Sequence, residues 1–421
     1  MLAHSPPFPI IIDHFHTDRD DRMTGDDVEG IILALKHRDR VRRIRFRTSE
    51  LMREHKGIII IDGEFPMLEY MCIAPMHDLN ILFPKTFQAP QLRHLLLADF
   101  TYPIGSPLLS AAMGLVGLAL VNMLPFTYVQ PHELLHRVSL MPQLEVLWIG
   151  FDYRYPRNHA DPDVTHMHNG THISLPNLRF FQFQGFSAYL EALLSRITAP
   201  HLEVVQVALW EQRTYSVPYL LQFMSTSEDL RLGNAILSFD GRGARLSVYP
   251  NETARLSVFD MHVQCRHGDV VQILNALSPL FSSVVYLTLD YKDNRLVKAK
   301  TRPTDWRILL RSFNNVKILF VGNGVIGKLA RSLQLDDGES PNDLLPELKE
   351  LTYSPTNDNA DAFTGFIDAR QDAGRRVTLV HLQNAASHPS GIVITIQTAR
   401  QGSEISLLSS SRIFQPVRSI R

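Results

Sequence analysis

Four clusters in this 421-residue sequence hold residue types that carry chemistry in other settings. Gly322–Gly327 reads GNGVIG directly after the apolar run VKILFV. In a dinucleotide-binding fold such glycines admit a pyrophosphate to a helix N-terminus, and an acidic residue ends the next strand about 20 residues on. The next strand candidate, Leu348–Tyr353, ends instead in tyrosine followed by serine. A loop between repeating units accounts for these glycines, and a dinucleotide-binding enzyme using Gly322–Gly327 is the weakest of three functional readings. Asp152–His172 holds His159, His166, His168 and His172 with Asp161 and Asp163. Neutral imidazoles spaced H-x-H-x3-H are zinc-ligand types. The Pro, Asn and Gly among them spell an exposed loop, so the expectation is no metal and no cofactor. Lys36–Arg47 (KHRDRVRRIRFR) is the most basic run, and Asp13–Glu29 upstream holds seven acidic residues. Nucleic-acid binding calls for a basic stripe interleaved with stacking aromatics. The expectation is therefore no nucleic acid, with an acidic protein segment docking on Arg43, Arg45 and Arg47. The pairs Asp26–Asp27 and Asp336–Asp337 stand in polar, loop-like surroundings, where adjacent carboxylates rarely converge as general acid and base. GxSxG and Walker-loop patterns are missing from the sequence, and no enzyme is expected.

The whole chain narrows the class further. Apolar residues make up 45% and charged residues 20%, a globular balance; the 42 basic residues nearly cancel the 43 acidic ones, leaving no overall field toward nucleic acid or anionic lipid. Two distant cysteines, Cys72 and Cys265, form neither a disulfide framework nor a zinc pattern, which fits a reducing, cytoplasmic or nuclear setting. The sequons at Asn169 and Asn251 then have no glycan to carry. Phe100–His132 lacks Lys, Arg, Asp and Glu, but Gly105, Gly114, Gly117, Asn122 and Pro125 interrupt it, so it reads as buried helix, turn and strand, not as a membrane span.

The elements that must position any site come from a repeat. Pro-x-Leu-x-x-Leu-x-Leu recurs as PMLEYMCI (Pro66–Ile73), PQLRHLLL (Pro90–Leu97), PQLEVLWI (Pro142–Ile149), PNLRFFQF (Pro176–Phe183), PHLEVVQV (Pro200–Val207) and PELKELTY (Pro346–Tyr353). Copies without proline lie at Ser283–Leu289 and Asn315–Val321, and weaker ones at Val41–Arg47 and Leu115–Val121. Their first apolar positions are Val41, Leu68, Leu92, Leu115, Leu144, Leu178, Leu202, Val284, Val316 and Leu348. With two degenerate copies near Leu230–Leu237 and Leu256–Val258, the spacing averages about 28 residues, within the leucine-rich-repeat range. The last two apolar positions of each copy are two apart, the strand period. The proline ahead of them breaks no ladder bond. Helices are expected between copies at Ser106–Met113, Pro131–Leu140, Ser187–Ile197 after a serine cap, Pro218–Met224, Asp269–Leu277 and Thr304–Phe313. The expected fold is α/β: a leucine-rich-repeat solenoid, or horseshoe, of about twelve irregular repeats, with parallel strands on the concave side and helices on the convex side. Residues 1–40 would cap it with a strand at Phe8–Asp13 and a helix at Asp26–His37. The array would run over 41–375, closed by a helix at Asp361–Ala373, and 376–421 would be a mostly flexible tail with a strand at Val393–Ile396.

At these copies the chain resembles the leucine-rich F-box-type proteins of mushroom-forming fungi, from about Met1 to Tyr353, most closely in FPMLEYMCI, Asn80–Leu97 and Leu175–Val205. That resemblance implies the substrate-recognition part of a cullin-type ubiquitin ligase, with the repeats presenting the binding surface. An F-box of some 40 residues, which docks a Skp-family adaptor, would lie upstream of the repeats. Met1–Ile12 already resembles the strand downstream of it, so adaptor docking is not expected of this chain. The alternative is an orphan or truncated solenoid with no ligase role.

A protein partner would lie on the strand face. The outward positions of the copies are Arg43, Arg45 and Arg47; Tyr70 and Cys72; His94 and Leu96; Val146 and Trp148; Phe180, Gln182 and Gln184; Gln206; Tyr286, Thr288 and Asp290; Phe320; Glu350 and Thr352. Arginine and aromatic side chains concentrate binding energy at protein interfaces. Arg43, Arg45, Tyr70, His94, Trp148, Phe180, Gln182, Gln206, Tyr286 and Phe320 are the candidate contacts, with Tyr70, Trp148, Phe180, Tyr286 and Phe320 as a ladder of anchors.

Overall fold

The computed structural model describes residues 8–14, 24–47, 61–74, 81–101, 107–123, 129–152, 172–210, 216–240, 243–251, 253–264, 267–291, 303–322, 324–334, 340, 342–353, 361–383, 393–397 and 405–408. It is an α/β chain that divides into two compact units, residues 1–205 with 222–229, and residues 206–221 with 230–421.

In the first unit the strands of the main sheet are β1 (Ile10–His14), β2 (Val41–Arg47), β3 (Tyr70–Ala74), β4 (His94–Ala98), β5 (Gly117–Met123), β6 (Val146–Phe151) and β7 (Phe180–Gly185). Each pairs in parallel with the next in chain order. Helices α1 (Gly25–Leu35), α2 (Pro107–Ala111), α3 (Pro131–Val138) and α4 (Ser187–Leu194) lie between them or follow β7. β8 (Val204–Leu209) and α5 (Pro218–Ser225) come next.

One turn explains the phase-locked proline. The N–H of Leu68 donates to the Phe65 carbonyl at 3.2 Å, and the same bond three residues back is made by Leu92, Leu115, Leu144, Leu178, Val284, Val316 and Leu348. Where proline occurs it sits second in this turn, the position whose φ its ring presets. Just past each turn, one carbonyl serves two donors of the next copy. Glu69 O accepts from Arg93 and His94, Arg93 O from Val116 and Gly117, Val116 O from Glu145 and Val146, and Glu145 O from Arg179 and Phe180. The sequence repeat is thus a repeated backbone geometry. Two asparagines extend it: Asn177, just before its anchor Leu178, donates to Pro142 O at 2.9 Å, and Asn315, just before Val316, bonds Ser282 O in the same way.

The core lies on the helix side of the strands. Met71, Leu95, Leu118, Leu147 and Phe181 are buried, as are Leu97, Leu120, Ile149 and Phe183 two residues on. α4 closes over them through Tyr189, whose ring meets Phe151 edge-on at 4.8 Å and whose hydroxyl donates to Val129 O. Burying each such side chain is worth about 1.5–3 kcal/mol. Local ends differ from expectation in two places. Ser187 is the first helical residue and not the cap; Phe186 takes the cap position with no side-chain bond. Asp26 and Asp27 are not in a loop but in the first turn of α1, where Asp27 and Thr24 form a capping box.

The second unit holds β9 (Asn234–Asp240), β10 (Gly243–Tyr249), β11 (Phe259–Val263), β12 (Tyr286–Tyr291), β13 (Ile318–Val321), β14 (Glu350–Tyr353), β15 (Thr378–Gln383), β16 (Val393–Gln397) and β17 (Ile405–Leu408). Its helices are α6 (His267–Ala276), α7 (Pro303–Arg311), α8 (Ile326–Leu333) and α9 (Thr364–Asp372). β9, β12, β13, β14 and β15 form a parallel ladder in chain order, and β16 and β17 add antiparallel.

The expected degenerate copies at Leu230–Leu237 and Leu256–Val258 are corrected here. The first strand is Asn234–Asp240 and the second Phe259–Val263, with the antiparallel β10 between them. β9 lies beside β12, while β11 lies at the far side of β10, where Gln264 N–H donates to Leu209 O at 2.9 Å. The chain therefore lays down β9 beside the position of β12 first and fills the two places behind it with β10 and β11 on the way back, instead of adding two repeats in sequence. Gly243 permits it, because a Cβ there would collide with the Val263 carbonyl.

Candidate functional site

Strand alternation sends every second side chain to the face opposite the core. In the first unit the register sets these into two neighbouring rows. Ile11, Arg43, Tyr70, His94, Gly117, Val146 and Phe180 share one; Asp13, Arg45, Cys72, Leu96, Ala119, Trp148 and Gln182 share the other. Seven of the sequence-selected residues thus stand on one sheet face, all partly or fully exposed, while the residue after each in sequence is buried. The side chain of Arg47 and residues 153–171, with most of the histidine cluster, fall outside the described residues, as do Asp336, Asp337 and Cys265.

The aromatic anchors do not fall in a single row. Tyr70 and Phe180 share one row and Trp148 belongs to the next. Tyr70 sits between Arg43, whose guanidinium carbon is 4.5 Å from the ring centroid, and His94, whose ring is 5.9 Å away. His94 leans over Gly117, where a Cβ would stand 2.9 Å from its Nδ1. Arg43 and Arg45 converge on Asp13 at 3.5 and 3.7 Å, and Arg43 Nε is buried with no hydrogen-bond partner among the described residues. Tyr70 and Cys72 share a hydrogen bond, and burial raises the pKa of both above their ordinary values, with the arginines opposing. Cys72 is therefore a protonated, buried thiol and not a reactive one.

Behind this charged end lies an apolar floor on the same outer face. Ala98, Ala119 and Val121 are nearly buried, and Ala74, Leu96 and Trp148 pack against them. The indole Nε1 of Trp148 is buried with no acceptor among the described residues.

In the second unit Gln206 stands between buried Val205 and Val207. Tyr286 shares a row with Asn234, Ile318, Glu350 and Thr378; Phe320 shares the adjacent row with Ile236, Thr288, Thr352 and Val380. The reversed strands add residues not singled out in the sequence. Arg245 donates from Nε and Nη2 to both oxygens of Asp260 at 2.7–3.1 Å, and Ser247 donates to the same carboxylate at 3.0 Å. Asp13 also went unselected, although Ile11–Asp13 alternates outward as Arg43–Arg45 does.

The glycine loop Gly322–Gly327 joins β13 to α8. The Asp290 carboxylate fills the space in which a Gly322 Cβ would stand. A negative charge held there repels a phosphate, so this glycine serves packing between neighbouring strands. Among the described residues no group of three or more His, Cys, Asp or Glu is placed to hold a metal, and no helix is long and apolar enough to cross a membrane.

The fold and face define an α/β protein whose largely parallel strands, joined by helices, present ordered rows of side chains opposite the core. No protein-family model matches the chain, and neither does any curated protein. Among solved structures, a chain of the crystal structure of a TLR13–ssRNA13 complex is similar over 73% of this chain at 14% identity and a TM-score of 0.31. This chain spans about two-fifths of that one, 41% of its length.

Proposed function

We propose that the chain is a leucine-rich-repeat solenoid, non-enzymatic, that binds another protein through the outer face of its strands. The observation that carries this is the row Arg43, Tyr70, His94, Val146 and Phe180 with Trp148 beside it. These are large, aromatic or cationic side chains at the positions the core does not use. Such residues are the usual anchors of protein interfaces. The resemblance to the F-box-type proteins supports reading the partner as the substrate of a cullin-type ubiquitin ligase, in the cytoplasm or nucleus. The turn-and-strand repeat, with one carbonyl serving two donors at each step, supports the repeat class.

The test is affinity capture from a host extract with the chain, beside the same chain carrying Trp148→Ala and Phe180→Ala, and beside a control carrying Ile308→Ala on an exposed helix position. A discrete protein captured by wild type and control and lost from the double variant supports the reading. Equal capture by all three refutes it. Whether a Skp-family adaptor is co-recovered tests the ligase part separately.

A further inference from the structure

Helix α3 carries a side-chain pair that the strand face does not use. His132 and His136 are both exposed, while Pro131, Leu134, Leu135 and Val138 on the other side of the helix are buried. Residues four apart on a helix lie on one face, with Cβ atoms about 5–6 Å apart. Neither imidazole has a hydrogen bond or ion pair among the described residues, so both rings keep their nitrogens for a ligand. The backbone beneath them is fixed at both ends. Glu133 accepts from the Gln130 N–H at 3.3 Å in a capping box, and Arg137 bonds the Ser110 hydroxyl of α2.

With Glu133 between them the pair reads H-E-x-x-H, the spacing at which two imidazoles chelate a zinc ion. Zinc–nitrogen bonds of about 2.0–2.1 Å need the two rings to converge from one face, which a helical turn provides. We propose that His132 and His136 hold a divalent transition cation, Zn²⁺, Ni²⁺ or Cu²⁺, as a clamp on the outside of α3. Imidazole nitrogen selects these ions over Mg²⁺ and Ca²⁺, which take oxygen ligands. The site holds the ion and does not hydrolyse with it, because the catalytic form needs a third protein ligand and a free glutamate as base. Among the described residues no third His, Cys, Asp or Glu completes the set, and Glu133 turns back to the Gln130 N–H. Water takes the remaining coordination positions. An ion clamped across one turn binds the folded helix better than the unfolded chain, so it stabilises the first unit.

The test is equilibrium dialysis of the full chain against nickel or zinc chloride, with thermal unfolding of the same samples. His132→Gln and His136→Gln are compared with wild type and with a chain carrying His166→Gln and His168→Gln in the histidine-rich segment. Wild type and the His166/His168 variant are expected to share a tightly bound ion that both helix variants lose. Each single helix variant should bind it about tenfold more weakly or worse, because the second imidazole no longer acts at high effective concentration. Ni²⁺ should raise the unfolding midpoint of wild type and of neither helix variant, and Mg²⁺ should raise none. With EDTA the helix variants should melt like wild type, since both histidines are exposed. Equal binding by wild type and the helix variants, loss confined to the His166/His168 variant, loss in only one of the two helix variants, or an equal response to Mg²⁺ would each overturn the inference. The protein-binding reading stands or falls separately, on the capture experiment above.

Discussion

Adjacent residues on β6 should separate stability from binding. Leu147 is fully buried in the first unit's core, whereas Trp148 points to the opposite face and keeps part of its surface in water. Leu147→Ala removes three buried carbons and leaves a gap that its neighbours fill only partly, which costs about 3 kcal/mol. For a unit of this size that lowers the midpoint of thermal unfolding by about 6–12 °C, at roughly 2–4 °C per kcal/mol. Trp148→Ala loses contacts with Leu96 and the alanine floor, worth about 1–2 kcal/mol. It also removes an indole N–H that is buried with no acceptor among the described residues, which returns about 1 kcal/mol. The net shift is then about 4 °C or less. Differential scanning fluorimetry of the two variants reads this directly, and partner capture should run the other way: retained by Leu147→Ala at low temperature, lost by Trp148→Ala. A Trp148→Ala shift as large as that of Leu147→Ala would mean that the indole belongs to the core, and the outer face would lose its central anchor.

Other consequences concern the second unit. Arg370 is fully buried and donates to the carbonyls of Leu344, Leu345 and Pro346 at 2.9–3.0 Å, so Arg370→Leu should cost about 3 kcal/mol in urea unfolding, with Arg370→Lys in between. Gly322→Ala should destabilise by about 1–2 kcal/mol through the Asp290 carboxylate, and the double variant with Asp290→Ala should recover most of it. Burial lowers the His381 pKa, with Asp361 opposing, beside the Tyr353 ring at 4.9 Å. Because the folded value lies below the unfolded one of about 6.5, its contribution is present above that pH and is lost as pH falls through the folded value. Thermal unfolding from pH 7.5 to 5 should therefore drop less steeply in His381→Gln than in wild type.

The parallel ladders were legible because each repeat carries its signal in a few consecutive residues. The turn needs an apolar residue, a proline or equivalent, one free position and the anchor, as in Phe65–Pro66–Met67–Leu68, and the strand alternation follows two residues later. Tyr70, Trp148 and Phe180 could be assigned to the outer face from that count alone. The reversed strands at 234–263 were not legible for the same reason. An antiparallel hairpin has no proline turn and no anchor, and alternation in GARLSVY is equally good for a strand running in either direction. Arg245 and Asp260 therefore came together through a pairing that nothing local specifies. Asp13 was missed because it ends a strand next to an acidic run, and its charge was counted with that run instead of with the arginines it faces.

The composition of the outer face also bears on the orphan reading. A sheet with one face on the core and the other in water is expected to carry polar residues on the wet side. The first unit departs from this at three positions: a tyrosine, a tryptophan and a phenylalanine, Tyr70, Trp148 and Phe180, stand partly exposed where Ser, Thr or Lys would dissolve better. Large apolar side chains left partly in water are a solubility cost in a monomer. They are joined here by two buried N–H groups, Arg43 Nε and Trp148 Nε1, that have no acceptor among the described residues. A face with no partner gains nothing from either feature. A face that closes on another protein gains from both together, because the same partner covers the rings and supplies acceptors.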